Sequence, residues 1–126
     1  MFKNYIIICF LGMLAIIFGA FGAHALKDSL TAESLLSFET GVRYQMYHVI
    51  VLLFVNMYTG FSQKQINTIS LLFFLGIFFF SGSIYAIQLT ELTAKSIWFI
   101  TPIGGLFLIL GWVFMLMGFL KKMRKK

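Results

Sequence analysis

The chain has 126 residues, 60% of them hydrophobic and only 11% charged, whereas a soluble domain is about half apolar and about a quarter charged. That balance excludes an ordinary soluble globule, and 16 Phe and 11 Gly beside a single Pro fit lipid-facing helices that pack through small residues. The net charge of +6 does not mark a nucleic-acid binder, because five of the ten basic residues crowd into the last six positions and no surface interleaves basic with aromatic residues.

Four apolar segments, near residues 5–25, 44–61, 68–89 and 98–120, reach the roughly 20 helical residues that a hydrocarbon core requires. The predicted fold is all-α: one integral-membrane four-helix bundle, with a short amphipathic helical segment between spans one and two and a basic tail at 121–126. The first segment ends in "GAFGAHALKDSL". Ala23-His24-Ala25 has the form of a peptidase site, but the apolar run from Tyr5 to Ala23 exceeds the core of about 7 to 15 residues of a cleaved leader. Retention as a first helix is therefore expected. Ala15, Gly19 and Ala23 recur every four residues, a small-residue face for helix packing within the bundle or between copies. Gly19 and Gly22 do not form a nucleotide loop, since no strand precedes them.

The one long connection carries "TAESLLSFETGVRYQMYHVI", in which Leu35, Phe38, Val42 and Val49 lie near one helical face. It is expected to lie on the interface or to run straight into span two. Glu39 and Arg43 are four apart in the favourable order for a helical ion pair. Further on, Thr101-Pro102 suits an N-cap followed by proline at the first helical position; the alternative is a proline kink in a helix that begins near Trp98, its freed carbonyl met by a neighbouring hydroxyl. Gly104, Gly111 and Gly118 then recur every seven residues along the fourth span.

Basic residues near span ends stay on the cytoplasmic side. With the amino terminus inside, Lys3, Lys64 and the five tail residues face in, while Lys27, Arg43 and Lys95 face out, seven against three. Both termini are thus expected in the cytoplasm. The tail acts as an inner-face anchor and attracts anionic lipid.

On this topology His24, Tyr44, Gln45, His48, Ser81, Ser83, Tyr85 and Thr101, with Glu39 and Arg43 nearby, gather in the outer half of the bundle, and Asn56 stands nearly alone in the inner half. Polar groups at membrane depth need partners, so this cluster is read either as a register-setting network or as a pocket for a small ligand or lipid headgroup. His24 and His48, with Asp28 or Glu39, are the only candidates for a metal or haem. They form no ligand motif, and the sequence names no cofactor. No catalytic constellation is visible, and no ionisable residue stands at mid-membrane outside the cluster, which argues against a proton-coupled permease.

The blocks "GAFGAHAL", "FETGVRYQMYHVI", "FFSGSIY" and "TPIGGLFLILGW", in this order over residues 19–112, resemble the YgdD/YwdK family of small uncharacterised membrane proteins. The family pattern falls on Gly19, Gly22, His24, Gly41, Tyr44, Gln45, His48, Ser81, Gly82, Ser83, Tyr85, Thr101, Pro102, Gly104 and Gly105. The resemblance implies a bacterial inner-membrane protein with relatives in mitochondria and no established enzymatic activity. The expected role is structural, in assembly or envelope physiology, exerted through the bilayer, a second copy or another membrane protein.

Overall fold

The computed structural model describes residues 2–91 and 94–125. Their helices, in chain order, are α1 (Phe2–His24), α2 (Ala32–Met57), α3 (Gln63–Leu89), α4 (Ala94–Ile97) and α5 (Ile100–Met123). Residues 92 and 93 of the expected 90–97 connection, and Lys126 of the tail, lie outside the described residues.

Local chemistry sets where the helices begin. Thr31 opens α2 by accepting the Ser34 N–H at 3.1 Å. Ser62 opens α3 with a reciprocal pair: its hydroxyl accepts the Gln65 N–H, and the Gln65 side-chain oxygen accepts the Ser62 N–H at 2.9 Å. α5 departs from expectation, since it starts at Ile100 with Phe99 at the cap position and no side-chain cap bond. Pro102 therefore sits inside the first turn, where a missing N–H breaks no intrahelical bond. Thr101, no longer needed as a cap, is free to turn its hydroxyl to α3.

The amphipathic segment is not a separate element. No proline interrupts 32–57, so it continues into the second span as one helix of 26 residues, about 39 Å at the usual rise. Among the described residues three helices, α1, α3 and α5, are long and apolar enough to cross a membrane, rather than the expected four. α2 falls short because Arg43, Gln45, His48 and Asn56 are strung along it.

Three of the long helices, α1, α2 and α5, pack along a seam whose spacing alternates between three and four residues. On α1 the seam is Ile8, Gly12, Ala15, Gly19 and Gly22, with Val49 against Gly12, Val42 against Gly19 and Phe38 against Gly22. The expected run leaves this seam at Ala23, which is exposed. A strict four-residue step drifts around a helix of 3.6 residues per turn, so Gly22 takes the place instead. On α5 Gly104, Gly111 and Gly118 are buried, with Leu108 and Met115 between them. On α2 the seam runs through Phe38, Gly41, Gln45, His48, Leu52 and Val55. This three-four alternation is the pattern of left-handed bundles.

Neighbouring helices run antiparallel, α1 against α2, α2 against α3 and α3 against α5. Lipid tails are as apolar as leucine, so close backbone approach and dispersion, rather than exclusion of water, favour these contacts in a bilayer. Gly104 carries the closest approach: a Cβ there would lie 2.6 Å from the Phe79 carbonyl carbon. The core of Leu52, Val55, Ile69, Phe73, Ile77 and Leu108 lies between α2, α3 and α5. α1 and α5 turn long apolar side chains outward, among them Ile6, Phe10, Ile16, Leu106, Ile109 and Leu116.

Candidate functional site

Three polar residues of α2 do most of the cross-linking between helices. Gln45, 2% exposed, donates through its amide nitrogen to the Leu11 carbonyl of α1 at 2.7 Å and accepts the Tyr85 hydroxyl of α3 at 2.7 Å. It ties three helices together and uses both ends of its amide. One turn away, Ser81 donates to the Gly41 carbonyl at 2.6 Å. Tyr85 also fills an aromatic corner, with ring centroids 4.8 Å from Phe18 and 5.3 Å from Phe38.

His48, 7% exposed, lies 2.7 Å through Nδ1 from the Tyr44 carbonyl and 3.1 Å through Nε2 from the Trp112 Nε1 of α5. A carbonyl only accepts and an indole N–H only donates. Nδ1 therefore carries the proton, Nε2 accepts from Trp112, and the ring is neutral in this arrangement. Neither nitrogen keeps a lone pair for a metal or a haem iron.

Asn56 closes the opposite end of α2. Its oxygen accepts from Asn4 of α1 at 2.9 Å, and its nitrogen donates to the Leu52 carbonyl and the Ser70 hydroxyl, both at 2.9 Å. Tyr5 donates to the Asn56 carbonyl at 2.7 Å. The expectation that Asn56 stands nearly alone in its half is thus corrected: it is the centre of a network with Asn4, Tyr5 and Ser70. Folding α2 and α3 into a hairpin over 58–62 sets Asn56 level with Ser70, a pairing visible in the sequence once the turn is placed.

The expected single cluster is divided among separate places. Ser83 and Thr101 share a hydroxyl bond between α3 and α5, and Ser83 also donates to the Phe80 carbonyl at 2.9 Å. Tyr44 is exposed and stacks on Phe80 at 5.1 Å. Arg43 donates to Thr40 at 3.2 Å, and no ion pair joins it to Glu39 among the described residues. His24 is exposed at the very end of α1. His48 sits about half of α1 away in depth, beside Gly12, whose Cβ position faces the adjacent Val49. Among the described residues, no group of three or more His, Cys, Asp or Glu side chains comes together to hold a metal ion. Trp112, which sequence reasoning passed over, is the partner that fixes His48.

This hydrogen-bonded framework lies largely within a region shared with known proteins. A family model described as "Protein of unknown function (DUF423)" matches residues 18–105. The chain belongs to the DUF423 family. Relatives of this DUF423 chain include the UPF0382 membrane protein of Staphylococcus saprophyticus, 42% identical over 86% of this chain and 89% of that one. The UPF0382 membrane protein of Haemophilus influenzae is 34% identical over 94% of both chains. The UPF0382 inner membrane protein YgdD of Escherichia coli K12 is 33% identical over 90% of this chain and 86% of that one. No solved structure matches. Gln45, His48, Ser81, Tyr85 and Thr101 fall inside the DUF423 match, whereas Asn4, Tyr5, Leu11, Trp112 and the basic end of α5 fall outside it. With three spanning-length apolar helices and membrane proteins as relatives, the chain is a membrane protein.

Proposed function

We propose that this DUF423 protein works without catalysis, as a multi-pass bundle of the bacterial cytoplasmic membrane that supports membrane assembly or envelope physiology through helix packing and through lipid or small-ligand contacts. One observation carries the reading: among the described residues no buried polar side-chain atom lacks a hydrogen-bond partner. A catalytic or transport site keeps groups available for a substrate. Here Gln45, His48 and Asn56 spend theirs on neighbouring helices. In this reading α2 crosses as a fourth span, shielded by α1 and α3, and both termini lie in the cytoplasm.

A metal- or haem-binding role for His24 and His48 is disfavoured because the two stand at different depths and both nitrogens of His48 are engaged. A permease is disfavoured because the polar groups close onto one another in separate knots rather than along a path. Native mass spectrometry, metal analysis and an absorption spectrum on gently purified protein test the reading. The expected result is protein carrying lipid adducts, with neither a stoichiometric metal nor a chromophore. A stoichiometric metal or haem that disappears in His48→Ala would overturn it.

A further inference from the structure

At the end of the bundle where α2 turns into α3 and α5 stops, a cleft of about 760 Å³ opens between the start of α3 and the last turns of α5. This falls within the roughly 300–1,000 Å³ of small-ligand sites. Its rim holds Lys64 from α3 and Lys121, Lys122, Arg124 and Lys125 from α5 and the residues after it. The chain's four acidic residues, Asp28, Glu33, Glu39 and Glu91, all belong to the opposite end: the first three lie in the α1–α2 connection and the start of α2, and the last just beyond α3. Lys64, Lys121, Arg124 and Lys125 form no ion pair among the described residues. Lys122 alone is anchored, donating to the Tyr58 hydroxyl at 3.3 Å with its ammonium 4.9 Å from the centre of that ring.

Five cations around one concavity repel one another, and that repulsion is relieved by an anion. The lower wall indicates its kind. Phe114, Met117 and Gly118 line the cleft below the cations, and Phe114 and Met117 are half-exposed apolar side chains on the helix surface. Capping α3 engages the Ser62 hydroxyl and the Gln65 side-chain oxygen as acceptors only, so the Ser62 O–H and Gln65 amide N–H donors join the cations and the Thr68 hydroxyl in facing a ligand. A free phosphate would use the rim and leave the apolar wall bare. A phospholipid uses both.

We propose that this cleft binds the phosphate headgroup of an anionic phospholipid, with an acyl chain running down Phe114 and Met117. The proposal rests on the reading of the chain as a bundle in the bilayer and names the ligand for it. The DUF423 match ends at residue 105, so the α5 side of the cleft belongs to the part of the chain outside that match.

The test is native mass spectrometry of the full chain with phosphatidylglycerol or phosphatidylcholine, each titrated into detergent. The original protein is compared with Lys64→Gln/Lys121→Gln/Arg124→Gln, with a control that removes equal charge at the other end, Lys27→Gln/Arg43→Gln/Lys95→Gln, and with Thr68→Trp, which fills the cleft at constant charge. The original protein and the control should prefer phosphatidylglycerol, and the charge variant and Thr68→Trp should lose that preference by about tenfold or more, given about 1 kcal/mol per basic residue near a lipid surface. A preference that survives in the cleft variants, or falls equally in the control, overturns the proposal. Displacement by millimolar inorganic phosphate, with no preference between the lipids, would assign the site to a free anion and overturn the lipid. Normal thermal unfolding and bilayer crossing without a lipid preference would remove the cleft alone, whereas failure to cross would remove the bundle reading beneath it.

Discussion

Gln45 is the residue on which most depends, because its amide serves two other helices at once. Interhelical hydrogen bonds in membranes average about 0.6 kcal/mol, but removing one partner strands the other, at about 1–3 kcal/mol for a buried group. Gln45→Leu should therefore destabilise the protein by about 1–2 kcal/mol in reversible unfolding by denaturing detergent. Tyr85→Phe in the Gln45→Leu background should cost less than in the original protein, because the hydroxyl it removes is already unpaired. Strictly additive losses would show that the pair does not couple. The residue types of this network were legible: Gln45, His48, Ser81, Tyr85 and Thr101 are conspicuous in apolar surroundings. Their pairing was not, because it depends on register. Carbonyl acceptors such as those of Leu11, Gly41 and Tyr44 leave no trace in side-chain identity, and nothing about Trp112 names its partner until α5 is laid beside α2.

At the scale of the helix, position along the seam decides what a side chain costs. Gly82 of α3 and Gly104 of α5 are both helical glycines. A Cβ on Gly104 would run into the Phe79–Phe80 backbone, whereas one on Gly82 would meet nothing within 4 Å. Gly104→Ala should cost about 1–3 kcal/mol by forcing α3 and α5 apart, and Gly82→Ala should be neutral or stabilising by up to about 1 kcal/mol through helix propensity. Unfolding of the two variants side by side checks this contrast, and equal effects would mean that the glycines act through the helix backbone rather than through packing. The sevenfold spacing on α5 was readable because it coincides with the seam. The fourfold spacing on α1 misled at Ala23 because four residues overshoot a turn. Likewise the sequence left open whether the 31–43 segment joins span two, because its amphipathic pattern fits either arrangement; in the structure neither a proline nor a packing break stops the helix there.

At the scale of the whole molecule, the open question is how α2 relates to the bilayer, since its own composition does not reach that of a spanning helix. Its neighbours supply the argument. α1 touches α2 from Asn4 with Asn56 at one end to Gly22 with Phe38 at the other, and α3 touches it from Ser70 to Tyr85. On the proposed reading, a helix paired from Phe38 to Asn56 with two of spanning length crosses with them, and its polar groups are tolerated because each is bonded inside the protein. The loops at the two ends of α2 should then lie on opposite sides of the membrane. After Cys9, exposed on α1, is replaced by Ala, single cysteines at Ser29 and Lys95 should react in intact cells with a membrane-impermeant maleimide. One at Gln63 should react only after permeabilisation. Labelling of Ser29→Cys and Gln63→Cys from the same side would mean that α2 lies on the surface. Labelling of Gln63→Cys from outside, with Ser29→Cys protected, would keep the crossing and invert the bundle, placing the five-cation cleft against the outer leaflet.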